Sequence, residues 1–133
     1  MKYMIDSHVA LWLVLQPNQI KKNIRDLILN NENDIYISIV SFWEISIKYN
    51  IGKLVLNGAS PEIFSQELSK ACKVNTLNLT LQDTLSFHNL KTFHHKDPFD
   101  RMLIWQAIQN DLTFITDDTL IHKYTDIGLK VEW

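Results

Sequence analysis

The sequence holds a single cysteine, Cys72, in 133 residues. No internal disulfide can form, and a reduced, cytoplasmic setting is the simple expectation. Cys72 itself reads as a small buried hydrophobe. No apolar run approaches the roughly 20 residues that span a bilayer, so no membrane partner is expected. The chain opens directly on a strand-like apolar run and carries no signal-peptide cleavage pattern. No repeat, low-complexity segment or linker interrupts it, and residues 1–133 suit one domain with one well-formed core. Charge of one sign is also missing: 13 Lys and Arg stand against 15 Asp and Glu, a net charge of −2. That argues against a protein held on nucleic acid by bulk charge. It leaves open a local basic rim, or binding through metal ions.

What the chain does have is an ordinary globular composition, 46% hydrophobic and 21% charged, arranged in short apolar runs that alternate with helical patterns. Lys2-Tyr3-Met4-Ile5 reads as a buried strand stopped at Asp6, and the segment after it as a helix ended before Pro17. A second helix is expected from about Gln19 to Asn30, with Ile20, Ile24, Leu27 and Ile28 on one face. After a turn at Asn31 to Asp34 comes the strand Ile35 to Ile39, then a third helix opening at Ser41 and running to about Tyr49. From Ser60-Pro61 a helix reaches about Ala71, with Ile63, Phe64, Leu68 and Cys72 as buried positions. Val74 to Leu79 looks like a strand, and Thr80 to His88 like a helix with Leu81, Leu85 and Phe87.

The stretch from Asp97 onward is the clearest helix start, with Asp97 as N-cap and Pro98 at the first helical position. Phe99, Met102, Leu103 and Ala107 share one face, and Ile104, Trp105 and Ile108 a second, so little of this helix faces water. Thr113 to Thr116 is a strand ending in Asp117-Asp118. A short helix through Ile121 and Tyr124 and a terminal strand from Leu129 to Trp133 follow. The alternation points to α/β, a parallel sheet covered on both faces. In such folds the crevice lies at the carboxyl ends of the strands.

Acids recur at those ends. Asp6 ends the first strand, Asp118 sits just past the fourth, Glu44 lies a helical turn beyond the second, and Asp100 opens the helix before the fourth. If the first and fourth strands are neighbours, these acids converge. Crowded carboxylates repel unless a cation neutralises them. Oxygen ligands suit Mg²⁺ or Mn²⁺, and a metal-bound water set against a phosphodiester gives metal-assisted hydrolysis. Each acid alone also has a purely structural use. Asp6, Asp97 and Asp117 or Asp118 sit where caps sit, and Ser41-Phe42-Trp43-Glu44 has the S-x-x-E spacing of a capping box. Capping does not explain why acids recur at successive strand ends, and a cap can also be a ligand.

Four segments carry a resemblance to a known family. They are Met4-Ile5-Asp6-Ser7-His8, Ser38 through Ile47, Asp97-Pro98-Phe99-Asp100-Arg101 with the helix it opens, and Leu112 through Asp118. In this order they resemble the PIN domain, and in particular the VapC-type toxins of toxin–antitoxin pairs. The resemblance implies a three-layer α/β/α sandwich with a central parallel sheet of about five strands. It also implies a Mg²⁺- or Mn²⁺-dependent endoribonuclease with an antitoxin partner. By position, Asp6, Glu44, Asp100 and Asp118 match the family's acidic set, and Thr116 the small hydroxyl residue that supports the pocket. Asp97 matches an extra acid of one branch, in a supporting role. Ser7 stands where Thr is commoner and keeps the hydroxyl, and Trp105 replaces a residue that is usually small.

From these matches, Asp6 and Asp100 are expected as direct metal ligands and Asp118 as a ligand, directly or through water. Glu44 is expected to hold a metal water or to act as general base. Arg101, Lys96, His94 and His95 flank the acids as candidate contacts to RNA phosphates. A zinc site at His94-His95 is disfavoured, since no Cys or third His lies at ligand spacing. His8, His88 and His122 have no evident partner. Trp12, Trp43 and Trp133 are expected in the core or at a subunit interface, and a homodimer is expected. The alternative is a PIN-like module that binds RNA or protein but catalyses weakly. The intact acid set favours the enzyme.

Overall fold

The computed structural model describes residues 1–133. Five strands form one sheet: β1 (Lys2–Ile5), β2 (Asp34–Ser38), β3 (Val74–Leu77), β4 (Thr113–Ile115) and β5 (Lys130–Glu132), in the order β3-β2-β1-β4-β5. All four neighbouring pairs are parallel. Parallel neighbours need crossovers, and the helices between the strands supply them.

Side-chain alternation along the strands divides the core. Tyr3, Ile5, Ile35, Ile37 and Ile115 point into one cluster, where they meet α1 (Ser7–Leu15), α2 (Lys22–Leu29) and α4 (Pro61–Ala71) through Val9, Ile24, Phe64 and Leu68. Met4 and Phe114 point the other way, onto Leu103, Ile104 and Ala107 of α6 (Pro98–Gln109) and onto Ile121 and Tyr124. The sheet is therefore buried on both faces, which is why its strands read as near-continuous apolar runs. The result is the expected three-layer sandwich. No helix is long and apolar enough to cross a membrane. Cys72 is buried, and that burial pushes its thiol up to about 11.

Several boundaries differ from expectation, each for a local reason. The second helix starts at Lys22, not Gln19, because Pro17–Gln19 forms a 3₁₀ turn and Ile20 then adopts extended backbone. Ile20 still reaches the core, so its periodicity matched a helix it does not belong to. β2 stops at Ser38, and α3 (Ile39–Asn50) begins at once, with the Ser38 hydroxyl accepting from the Val40 amide at 3.0 Å. Ser38, not Ser41, is the cap. β3 ends at Leu77, and α5 (Leu81–Ser86) opens with a capping box between Thr80 and Asp83. Leu81 and Leu85 lie mostly exposed, and Ile63 on α4 about half exposed, so these three are not core residues. α7 (Thr119–His122) passes into a 3₁₀ turn that ends at Gly128, whose φ of +97° favours glycine.

One topological fact positions everything that follows. β1 lies beside β4, with Ile5 opposite Ile115. The chain leaves both strands side by side at Asp6 and Thr116, and the Asp6 amide donates to the Ile115 carbonyl at 3.0 Å. β1 connects onward toward β2 on one side while β4 connects to β5 on the other. That is a switch point, where a crevice opens at the carboxyl ends of the strands.

Candidate metal centre

Asp6 stands at the N-cap position of α1, yet its side chain caps nothing. Its Oδ2 instead accepts from the Thr116 hydroxyl at 2.7 Å. The same Thr116 oxygen accepts from the Asp118 amide at 3.1 Å, so one buried hydroxyl sets both acids. Burial holds the Asp6 carboxyl above the usual carboxylate range, although Thr116, His8 and the Ser7 amide pull it down; Glu44 adds to the rise.

Glu44 reaches the crevice from α3. It sits inside the helix, one turn past the start, and is buried. Its Oε1 accepts from the Ser7 hydroxyl at 2.8 Å, and its Oε2 lies 3.2 Å from Lys48 Nζ. The S-x-x-E spacing is therefore not a capping box, because Ser41 lies within the helix and its hydroxyl has no partner. Ser7 takes a supporting position, tying α1 to α3 beneath the acids.

Asp97 caps α6, accepting from the Phe99 and Asp100 amides at 2.9 and 3.2 Å. That cap aims Asp100, in the first turn of the helix, at the crevice. Burial first, then the charges of Asp6, Asp97, Glu44 and Asp118, push the Asp100 carboxyl up to about 8. Asp118 caps α7, its Oδ1 accepting from the Leu120 amide at 2.8 Å, so this acid serves as cap and site residue together.

His95 joins them. Ligand atoms of His95, Asp100 and Asp118 lie within 4.8 Å of one another. Its Nε2 is 3.7 Å from Asp100 Oδ2, too far for a hydrogen bond. The sequence places this histidine beside the acids as a candidate phosphate contact, but no local pattern marks it as a member of the cluster itself.

The remaining flanking residues behave differently from one another. Arg101 is buried and faces away from the acids. Its guanidinium donates to the Thr92 and Leu90 carbonyls at 2.7 and 2.9 Å and to the Tyr124 hydroxyl at 3.1 Å, and it lies over the Phe93 ring. The expected phosphate contact is corrected: Arg101 anchors the loop before α6. Lys96 is exposed on that loop. His94 pairs with Asp126 at 3.0 Å. His122 does have a partner, the Thr116 carbonyl at 2.7 Å. Trp105 donates to the Ser86 hydroxyl at 3.0 Å, which accommodates the large ring. Trp12 packs against Trp133, whereas Trp43 is 59% exposed and rests edge-on against Phe99.

Two buried acids, Asp6 and Glu44, with the more exposed Asp97 and Asp118, thus crowd Asp100, whose own carboxylate accepts no hydrogen bond and whose ionisation they oppose. An oxygen-binding cation relieves that repulsion, and this donor set fits one.

Residues 3–127 match the sequence profile of the PIN domain. The chain belongs to the PIN domain family. Solved structures similar in fold include VapBC2 from Rickettsia felis bound to a promoter DNA fragment, with 19% identity and a TM-score of 0.70 over 99% of this chain and 98% of that one. VapBC-1 from nontypeable Haemophilus influenzae has 17% identity and a TM-score of 0.69, covering 99% of this chain and 97% of that one. DNA-bound VapBC from Salmonella typhimurium has 17% identity and a TM-score of 0.70 over the same shares. No curated protein matches this chain. Within this PIN domain, the crevice between β1 and β4 is where the acids collect.

Proposed function

We propose that this PIN domain, acting as one unit over residues 1–133, is a metal-dependent endoribonuclease and the toxin of a toxin–antitoxin pair. One observation carries the enzymatic reading. Asp100 is crowded by four other acids, and burial first, then their charges, push its carboxyl up to about 8, with no protein donor to offset the cost. In its ionised form such an arrangement is unfavourable unless a cation completes it, and clusters of this kind gather at functional sites.

Asp6 and Asp100 are the proposed direct holders of Mg²⁺ or Mn²⁺, with Asp118 a third. When bound, the cation supplies positive charge for a phosphodiester and makes water a competent nucleophile near neutral pH. The chain's own residues do the rest. Thr116 holds Asp6 and the start of the Asp118 segment in register, and Asp97 aims Asp100. Glu44, fixed by Ser7, is placed to hold or deprotonate a water. Lys96 and His95 sit on the rim as contacts to RNA phosphates.

The partner half of the proposal rests on surface shape. Ile39, Phe42 and Trp43 of α3 and Pro61 and Glu62 of α4 line an open groove of about 610 Å³. An amphipathic segment of an antitoxin fits such a groove, its apolar face laid against the aromatic rings. The structures similar in fold are VapBC complexes, which supports the pairing. A homodimer is part of the proposal, tested by sedimentation at tens of micromolar.

The enzymatic test is cleavage of single-stranded RNA in Mg²⁺ by the wild type and by Asp6→Asn, Glu44→Gln, Asp100→Asn and Asp118→Asn. Cleavage by the wild type alone is expected. Wild-type rates in all four variants would refute the assignment.

A further inference from the structure

A second network reaches the acid cluster from outside the carboxylate set. The His95 side chain is only 9% exposed, and its Nε2 is a buried polar atom with no hydrogen-bond partner. It points toward Asp100 and Asp118. A buried donor or acceptor without a partner keeps its full desolvation penalty, so a ring held in this way calls for an explanation.

The explanation begins at Tyr124, whose side chain is fully buried. Its hydroxyl oxygen receives Arg101 Nη1 at 3.1 Å, the His94 amide at 3.2 Å and the His95 amide at 3.4 Å. A phenolic oxygen has no capacity for another donor beyond these. His95 Nδ1 lies 3.1 Å from the same oxygen. The one hydrogen left to assign is the tyrosine's own. Its acceptors are His95 Nδ1 and, less favourably, the His95 carbonyl at 3.5 Å. The Tyr124 hydroxyl therefore donates to Nδ1, and Nδ1 carries no proton. The ring's proton then sits on Nε2, facing the crevice. Arg101 enforces this, since its charge cannot be lost and its donor cannot be reversed.

We propose that His95 is a fixed Nε2–H donor for a non-bridging oxygen of the scissile RNA phosphodiester, with Tyr124 and Arg101 as the residues that position it. The substrate in this statement rests on the ribonuclease reading; the tautomer does not. A donor here answers a need of the site, because a phosphate approaching Asp100 and Asp118 meets like charge on both. It also assigns His95 a role other than metal ligand, as Nε2 has no lone pair to give while it holds the proton.

Two measurements test this on the full-length protein. Nitrogen NMR of the imidazole rings, in metal-free protein and again with Mg²⁺, reports which nitrogen of His95 is protonated. Protonated Nε2 and bare Nδ1 are expected in both. A proton on Nδ1, or loss of the Nε2 proton on adding Mg²⁺, would overturn the proposal. The second measurement is binding of a cleavage-resistant 2′-O-methyl RNA to His95→Gln and His95→Asn. Gln places an amide N–H near the Nε2 position and Asn does not. His95→Gln is expected to bind within about threefold of wild type and His95→Asn about tenfold more weakly, the scale of one hydrogen bond to a charged group. Equal binding by His95→Asn and wild type would overturn the role of His95 alone. No RNA binding or cleavage by the wild type would instead overturn the ribonuclease reading, and the phosphate role with it. Tyr124→Phe adds a positioning test: His95 should lose its single tautomer while Mg²⁺ still binds.

Discussion

The two ends of the sheet treat their acids in opposite ways. At the amino end, Asp111 is exposed and pairs with Lys130 at 2.7 Å, and the hydrogen bond and charge of that lysine hold its carboxyl below the usual range. At the carboxyl end, Asp100 is partly buried, bonded to nothing, and pushed in the other direction by burial and four acids. Asp111 is compatible with the fold as it stands. Asp100 opposes it at neutral pH. Residues kept against the interest of stability are expected where chemistry is done, and the sequence composition, near neutral overall, conceals that asymmetry completely.

The largest expected effect is on activity. Asp6→Asn and Asp100→Asn should each lower RNA cleavage in Mg²⁺ by more than about 100-fold, beyond the cost of losing an outer-shell partner. Asp111→Asn should cleave like wild type. Asp97→Asn belongs between them and nearer wild type, since Asn caps a helix about as well as Asp.

Stability should move in the opposite sense. The Asp100 carboxyl binds its proton more tightly in the folded than in the unfolded protein, so that proton stabilises the fold. Its contribution is complete below the unfolded value of 3.8 and is lost as pH rises through about 8. Asp100→Asn mimics the protonated form. In metal-free protein at pH 8 it should gain on the order of 1–2 kcal/mol, discounted from the full shift for partial solvation, or about 3–8 °C in melting temperature. The gain should vanish near pH 4. Asp111→Asn should show no such gain at any pH, because an exposed pair contributes little.

Much of this geography is legible in the residues. Asp6 and Asp118 announce themselves by ending apolar strands, and Asp97-Pro98-Phe99-Asp100 by opening a helix. The α/β alternation then suffices to place a crevice among them. What is not legible is orientation. Arg101 follows Asp100 directly, but one residue along a helix turns the side chain by about 100°, and Arg101 faces inward to Tyr124 instead of outward to a phosphate. Ser41 and Glu44 have the right spacing for a capping box, but Ser38 lies three residues nearer the strand and starts the helix first. His95 is legible as a residue flanking the acids, but its orientation is not: that is set by Tyr124, 29 residues away in sequence, across a contact no local pattern encodes.

Mg²⁺ itself should distinguish the two ends next. At about 100 times its dissociation constant a folded-state ligand adds about 2.7 kcal/mol. A rise in melting temperature is expected for wild type and Asp111→Asn, and little or none for Asp100→Asn. Scanning calorimetry with and without the cation reads this directly.

The smallest effect concerns the start of α3. Ser38→Ala should cost about 1 kcal/mol or more through the lost cap and the lost bond from its hydroxyl to Gln106 Oε1, whereas Ser41→Ala should be close to neutral, because the Ser41 hydroxyl has no partner to lose. Urea denaturation of both variants would show whether the capping assignment is right.

The central claim is that Asp100 sits where its ionisation is opposed and that a bound cation relieves that opposition. Carboxyl-carbon NMR of Asp100 across a pH titration measures that state in the intact protein. In metal-free protein its midpoint should lie near 8, far above the ordinary 3.8, and saturating Mg²⁺ should bring it below neutrality. A metal-free midpoint near 4, or one near 8 that Mg²⁺ leaves unmoved, would contradict the account.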